Sequence, residues 1–173
     1  VLQVQRPVVI AHLRSIRLRH PEATTADLAA LDALLRGDGH DVAAWVGHSA
    51  GGALVLWRAL TPELAPVRAV ALAPVTDLDA AVAQHLGGGA VVDWLGDTPD
   101  SLDRHDPTRL LAARPDRAEH LHLVHGDRDA TVPVAQTEGF AAPRTVLHGA
   151  DHFDLVDPSS PHWPAVTGTI TQR

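Results

Sequence analysis

Residues 47–52 (GHSAGG) fit the pattern G-x-S-x-G, which places a serine on a sharp turn between a strand and a helix. Such a turn lifts the Ser49 hydroxyl above a sheet, where it can act as a nucleophile. It also points the N–H of Ala50 at a developing oxyanion. Gly47 and Gly51 are expected to leave room for the neighbouring strand and helix. The alternative is a glycine-rich turn in which Ser49 only caps the helix.

Two later segments contain the base and the carboxylate that a serine nucleophile needs. Residues 125–133 (HGDRDATVP) follow an apolar run and include Asp127 and Asp129, and residues 149–153 (GADHF) follow the next run and include His152. The order Ser, Asp, His is that of hydrolases with a G-x-S-x-G turn. All three side chains are therefore expected in successive loops at one edge of a sheet, with either aspartate as the acid.

The segments GHSAGG, HGDRDATVP and GADHFDLVDPSSPHW resemble those of α/β-hydrolases of the small-esterase and kynurenine-formamidase-like group. The likeness runs from about residue 24 to residue 163. It implies that Ser49 is the nucleophile, that His152 is the base and that Asp129, in the family pattern H-G-x-x-D-x-x-V-P, is the acid. It also implies an acyl-enzyme on Ser49 and no cofactor. The substrate pocket is expected to include His48, Val132, Phe153 and Trp163.

Other carboxylates near these motifs have simpler interpretations. Asp127 can orient its loop through Asx-type hydrogen bonds, and Asp151 is expected to fix its loop or to face solvent. Asp77 and Asp79 follow a predicted strand, where some hydrolases carry their acid. The family pattern nevertheless favours Asp129 over all four.

Three histidines, His120, His122 and His125, lie close together in the sequence and resemble a metal cluster. Alternation along a strand, however, places His122 and His125 on opposite faces of the sheet. The chain also contains no Cys that could complete a zinc site. No metal site is therefore predicted.

Apolar runs alternate with helix-like periodicity, which predicts an α/β fold with a mostly parallel sheet flanked by helices. The predicted strands are residues 7–11, 42–46, 67–73, 121–126 and 144–148. The predicted helices are residues 24–36, 51–60, 79–86, 90–95, 107–113 and 133–141, and a last helix begins near residue 161. Thr24 or Thr25 is the expected cap of the first helix. Residues 1–173 form one domain in this interpretation, with 74–120 as a cap or pocket wall.

One part of the family's site has only a faint counterpart. The family takes a second oxyanion donor from an H-G-G loop after an earlier strand, and here His12 follows residues 7–11 but is itself followed by Leu13 and Arg14. Leu13 carries a Cβ where a glycine is wanted. With the first strands of the fold missing, the strand at 42–46 is expected to be an exposed apolar edge. Residues 7–11 or a second subunit of a homodimer would pair with it.

Composition narrows the function classes further. A net charge of −7 argues against nucleic acid and anionic membrane surfaces as partners. The absence of Cys excludes disulfides and cysteine nucleophiles. No long apolar run or signal-peptide pattern is present, which predicts a cytoplasmic protein. The lack of Lys and Met favours a GC-rich bacterial source and indicates that Val1 is not a translation start.

The sequence therefore predicts a serine hydrolase that cleaves carboxylic esters. An aryl-formamide hydrolase acting on a kynurenine-type substrate would use the same triad, and the shape of the pocket decides between the two. The faint H-G-G loop favours a third alternative from a different class, a truncated and catalytically inactive protein of the hydrolase fold.

Overall fold

In the part of the chain that the structure describes, four parallel strands form one sheet. The computed structural model describes residues 20–96 and 101–172. The strands lie side by side in the order β1 (Trp45–His48), β2 (Ala69–Leu72), β3 (Leu121–Gly126) and β4 (Arg144–Leu147). Every neighbouring pair is parallel, so the carboxyl ends of all four strands meet at one edge of the sheet. The predicted α/β class with a parallel sheet is confirmed.

Helices connect these strands. They are α1 (Pro21–Gly37), α2 (Ala50–Leu60), α3 (Leu78–Ala83), α4 (Ala90–Leu95), α5 (Ser101–His105), α6 (Pro107–Ala113), α7 (Ala135–Glu138) and α8 (Trp163–Thr171), with 3₁₀ turns at Leu86–Gly88 and Pro115–His120. The helix predicted at 133–141 is shortened to α7, because Phe140, 1 % exposed, turns into the core. None of the helices within the described ranges has the length and apolar character needed to cross a bilayer.

Both faces of the sheet are buried. On one face, alternate residues of the central strands pack with α2 and α6: Val55, Leu56, Ala59, Leu60, Ala69, Ala71, Leu111, Leu121 and Leu123. On the other face, the intervening residues pack with the segment leading to α8 and with α8 itself: Val70, Leu72, Val124, Leu155 and Val166. This two-sided burial explains why the strands read as continuous apolar runs rather than as alternating patterns.

Helix α1 begins three residues before the predicted start. Pro21 is its first residue, a position that suits proline because the first N–H of a helix has no partner. Thr24 and Thr25, the expected caps, lie inside the helix instead. Thr25 Oγ1 donates to Pro21 O at 2.9 Å, and Thr24 Oγ1 accepts from Trp94 Nε1 at 3.2 Å. The two hydroxyls therefore hold the first turn and the neighbouring α4.

Strand β1 is displaced from the predicted range 42–46. It begins at Trp45, whose N–H donates to Arg68 O at 2.9 Å, and it runs on into the glycine motif. Pairing with β2 rather than local apolarity therefore sets its bounds. It is the edge strand of the described sheet, and Val46 is 43 % exposed. Residues 7–11, the predicted neighbour of this edge, lie outside the described residues, and pairing with a second subunit stays a prediction.

The segment 74–120 between β2 and β3 packs against α1 and α2. Trp94 lies in a buried cluster with side chains of both helices. The buried carboxylate of Asp106 accepts from Arg109 N at 2.8 Å and from Leu78 N at 2.6 Å. One side chain thus binds the N-termini of α6 and α3 and holds them together. A role of this segment as a cap or pocket wall stays a prediction.

Candidate active site

Ser49 lies on a strained turn between β1 and α2. Its backbone angles are φ 57° and ψ −122°, a region that costs a non-glycine residue about 1–3 kcal/mol. The Ser49 carbonyl accepts from Gly52 N at 2.9 Å, but the side chain makes no capping hydrogen bond to α2. Ser49 therefore does not act as a side-chain cap, and its hydroxyl is held above the carboxyl end of β1.

Two glycines allow the strand, the turn and the helix to approach one another. A Cβ on Gly47 would lie 2.1 Å from Gly51 O, and a Cβ on Gly52 would lie 2.9 Å from the Cβ of Pro74. A Cβ on Gly51 would meet nothing within 4 Å. The expectation that Gly47 and Gly51 both provide room is therefore right for Gly47 and wrong for Gly51. Gly52 has that role instead, because it faces the chain that leaves β2.

We expect Gly47→Ala to lower the free energy of unfolding by about 3 kcal/mol or more, since its methyl group would collide with backbone that cannot move without breaking the turn. Gly51→Ala is the matched control. It should leave stability unchanged or raise it by about 0.5–1 kcal/mol, because alanine is favoured in a helix. Urea unfolding of both variants at neutral pH measures the difference. Equal stability of the two variants would contradict the close approach at Gly47.

The N–H of Ala50 is free to bind an anion. Ala50 is the first residue of α2, so its N–H has no acceptor within the helix. It has no other hydrogen-bond acceptor in the part of the chain that the structure describes. It also lies at the positive end of the helix dipole, directly after Ser49. His12, the only sequence candidate near a second donor loop, lies outside the described residues.

The structure brings Asp129 and His152 together. Asp129 Oδ2 lies 2.6 Å from His152 Nδ1, and the two side chains are 0 % and 5 % exposed. Asp129 Oδ1 accepts from the N–H groups of Thr131 and Val132, both at 2.8 Å. Burial raises the pKa of Asp129, but the hydrogen bonds from Val132, His152 and Thr131 together lower it below its usual value. A carboxylate at this position keeps the proton of His152 on Nδ1 and leaves Nε2 to accept one.

His48 links the turn that carries Ser49 to the loop that carries His152. Its Nε2–H donates to the backbone carbonyl of His152 at 2.9 Å, and the two ring centroids are 4.4 Å apart. Burial lowers the pKa of His48, which favours the neutral ring. Ser49 and His152 both lie within the described ranges, and no hydrogen bond joins Ser49 Oγ to the His152 ring. Bonds of this kind commonly tighten only around a substrate.

Asp127 binds the loop that leads to His152 rather than His152 itself. Its Oδ1 accepts from Gly149 N at 2.7 Å, and its Oδ2 lies 2.5 Å from His148 Nδ1. The hydrogen bonds from Gly149 and His148 lower the pKa of Asp127. The loop after β3 is thereby fastened to the loop after β4.

Asp151 and Asp154 enclose His152 on both sides. Asp151 Oδ1 accepts from Phe153 N at 2.8 Å, and Asp154 Oδ2 accepts from Asp151 N at 2.8 Å. This reciprocal pair closes the turn that presents the imidazole. Farther away, Asp77 Oδ1 caps α3 by accepting from Ala80 N at 2.7 Å.

The four predicted pocket residues fall into two groups. His48 borders His152, and so does Phe153, whose ring stands edge-on to the imidazole at 5.2 Å and is 65 % exposed. Val132 is 3 % exposed and lies in the buried cluster beside α1 and α2. Trp163 packs at the start of α8 against the cluster on the other face of the sheet. Contact of any of the four with a substrate stays a prediction.

Sequence reasoning missed one contact at this site. His125 is 0 % exposed, and its Nε2 lies 3.2 Å from Asp129 Oδ2 and 2.9 Å from Val132 O. The H-G-x-x-D pattern places the histidine four residues before the aspartate but does not give the direction of its side chain. His122 points to the other face, as strand alternation predicts, and lies 2.9 Å from Thr145 Oγ1. Within the described ranges no three His, Asp or Glu side chains are arranged to hold a metal ion.

The sequence and the fold are similar to those of known hydrolases. A family model described as the prolyl oligopeptidase family matches residues 16–171. A puromycin hydrolase superposes with a TM-score of 0.61 at 23 % identity, over 79 % of this chain and 23 % of that one. An acylaminoacyl peptidase from Pyrococcus horikoshii gives 0.56 at 15 % identity, over 83 % and 24 %. An S-formylglutathione hydrolase from Agrobacterium tumefaciens gives 0.56 at 20 % identity, over 74 % and 50 %.

The structural likenesses, at these identities, show the fold. The chain spans about a quarter of the length of the puromycin hydrolase and of the acylaminoacyl peptidase. No curated protein matches the sequence. The resemblance to serine hydrolases of the α/β-hydrolase superfamily is confirmed, and the family model matches nearly the whole chain. The chain belongs to the prolyl oligopeptidase family.

Proposed function

We propose that this protein is a serine hydrolase that cleaves carboxylic esters through an acyl-enzyme on Ser49. The observation that carries the proposal is the buried pair of Asp129 Oδ2 and His152 Nδ1, 2.6 Å apart, on the loops that follow β3 and β4. The strained turn of Ser49 follows β1 at the same edge of the sheet. This arrangement at one edge of the sheet supports the proposed roles of Ser49 as nucleophile, His152 as base and Asp129 as orienting carboxylate.

The proposed reaction has two halves. Ser49 Oγ attacks the ester carbonyl carbon while His152 Nε2 takes the hydroxyl proton, and the Ala50 N–H binds the oxyanion. Collapse of the tetrahedral intermediate breaks the bond to the alkoxy oxygen, which receives the proton from His152. A water molecule then loses a proton to His152 and attacks the acyl carbon. His152 returns this proton to Ser49 Oγ as the acyl–oxygen bond breaks, which releases the acid and restores Ser49. Asp129 stays ionised and stabilises the imidazolium in both halves.

We place esters before amides as substrates because only one oxyanion donor, the Ala50 N–H, is assigned. An ester carbonyl is more reactive than an amide carbonyl and needs less stabilisation of the oxyanion. Loss of a single oxyanion donor costs about 10²–10³ in kcat, and an alkoxide leaves more easily than an amide nitrogen. The exposed ring of Phe153 beside His152 offers an apolar contact to an acyl or alcohol group.

An amide is the second candidate, and the family match favours it. The chain belongs to a family described by peptide cleavage, and the same triad chemistry serves amides when the leaving nitrogen is protonated by His152. An aryl formamide of the kynurenine type falls within this second candidate. The inactive alternative differs from both, because it requires a folded chain that turns over no acyl substrate.

The test is a substrate panel at neutral pH: p-nitrophenyl acetate and butyrate, N-formyl-kynurenine, and an aminoacyl p-nitroanilide. We expect hydrolysis of the p-nitrophenyl esters with kcat/KM at least about tenfold above that of the amides, and none by Ser49→Ala. Faster cleavage of the anilide or the formamide would replace ester specificity by the amide candidate. Absence of turnover by protein with a cooperative unfolding transition would contradict the proposal and favour the inactive alternative.

A further inference from the structure

We propose that His125 is a positioning residue: its Nε2, which donates to Val132 O and lies 3.2 Å from Asp129 Oδ2, holds the Asp129 carboxylate in the orientation in which it meets His152. The inference rests on the proposed function, in which Asp129 orients the base.

The chemistry of its neighbours assigns the protons of His125. Its Nε2 lies 2.9 Å from Val132 O and 3.2 Å from Asp129 Oδ2. Because a carbonyl and a carboxylate oxygen only accept, Nε2 must carry the proton. On the other side of the ring, Nδ1 lies 2.8 Å from Thr137 Oγ1, a hydroxyl that can donate to it. Every polar atom of the buried ring thus has a partner in the Nε2–H tautomer.

The ring is held neutral as well as oriented. His125 is 0 % exposed, and burial lowers its pKa. Neutrality matters for the pair that it supports. A second imidazolium beside Asp129 would repel the positive charge that His152 acquires during the reaction, in an environment where charges interact strongly. A neutral donor can hold the carboxylate in place without repelling the positive charge on His152.

The same N–H connects the side chain of Asp129 to the backbone of its own turn. Asp129 Oδ1 already accepts from Thr131 N and Val132 N, which closes the start of the turn. His125 Nε2 donates to Val132 O at the end of the turn and lies 3.2 Å from Oδ2. Apart from His152, it is the donor that faces Oδ2 among the described residues. Without it, rotation of the carboxylate about χ2 would be opposed from one side only.

Two substitutions of His125 distinguish the positioning role from a role in which the ring only fills space in the core. His125→Phe keeps the volume of the ring and removes the donor, whereas His125→Gln places an amide N–H near the position of Nε2. We expect His125→Phe to lower kcat for a p-nitrophenyl ester by about 10- to 100-fold, as for loss of a hydrogen bond to a charged group, with KM changed less than about threefold. His125→Gln should recover most of kcat. His122→Phe, on the opposite face of β3, is the control and should keep the wild-type rate.

A readout that does not depend on turnover accompanies the kinetics. The Nδ1–H proton of His152, in its short bond to Asp129, should give a far-downfield proton resonance that disappears in Asp129→Asn. In His125→Phe this resonance should shift or broaden, and in His125→Gln it should return toward its wild-type position. If the wild-type protein shows the resonance but no turnover, the proposed function fails while the positioning role of His125 is still tested by the spectra.

Three results would overturn the inference. One is a wild-type kcat and an unchanged resonance in His125→Phe, and another is an equal loss in the Phe and Gln variants. If His125→Phe does not fold, Thr137→Val decides the question, because it removes the hydroxyl that fixes the tautomer of His125 and keeps the shape of the side chain. We expect that variant to lose about three- to tenfold in kcat, and an unchanged kcat with wild-type spectra would be the third contrary result.

Discussion

Replacing Ser49 by alanine is expected to lower kcat for an ester substrate by about 10⁶-fold while leaving the stability of the protein almost unchanged. The loss follows from removal of the nucleophile. The small effect on stability follows from the structure, since the Ser49 side chain makes no capping bond to α2. A serine that did cap the helix would cost about 1 kcal/mol on truncation.

Steady-state kinetics and urea unfolding of Ser49→Ala measure both parts of this prediction. Ser159→Ala is a suitable control, because Ser159 is an exposed serine in the segment before α8. It should keep the wild-type kcat. Retention of more than about a hundredth of the wild-type rate in Ser49→Ala would show that another group attacks the ester and would contradict the assignment.

Asp129→Asn is expected to lower kcat by about 10⁴-fold without unfolding the protein. If the new amide nitrogen takes the place of Oδ2, it faces His152 Nδ1, which donates to the native carboxylate, and His125 Nε2, which lies 3.2 Å from it. His152 can then bond to it only by moving its proton from Nδ1 to Nε2, where it blocks acceptance of the serine proton. If the amide turns the other way, its nitrogen meets two backbone N–H groups instead. In that second orientation His152 keeps its proton on Nδ1, but in both orientations the neutral amide no longer stabilises the imidazolium.

Asp127→Asn is the matched control for this substitution. Asp127 lies two residues before Asp129, and its contacts are to Gly149 N and His148 Nδ1 in the loop leading to His152. An asparagine carbonyl can still accept from Gly149, so kcat should fall by no more than about tenfold. Kinetics of the two variants under one set of conditions decide which aspartate is the acid. A larger loss in Asp127→Asn than in Asp129→Asn would reverse the assignment.

The parts of the fold that depend on local pattern could be predicted from the sequence. Strand β3, at Leu121–Gly126, and the helices at Ala90–Leu95 and Pro107–Ala113 have the predicted bounds. The bounds that differ are set by pairing and packing. Strand β1 begins where Trp45 N meets Arg68 O, and α7 ends where Phe140 enters the core. Apolarity and turn residues alone do not carry that information.

Some residues of the candidate site could likewise be predicted from the sequence, and others could not. Ser49, Asp129 and His152 each belong to a short motif at a strand end, and a parallel sheet gathers such ends at one edge, so these residues could be selected in advance. The contacts of His48 and His125 could not, because they depend on the direction in which a side chain leaves its strand or turn. Likewise, the motif spacing does not tell which glycine faces a neighbour, and only the position of Pro74 shows that it is Gly52.

Covalent labelling with a fluorophosphonate, followed by peptide mass mapping, tests the central claim most directly. Such a probe reacts with a serine hydroxyl only where a neighbouring base activates it, so it reports the triad without any choice of substrate. The account predicts one label, on the peptide that contains Ser49, absent from Ser49→Ala and much slower to form in Asp129→Asn. Protein with a cooperative unfolding transition that stays unlabelled, or that carries its label on a different serine, would contradict it.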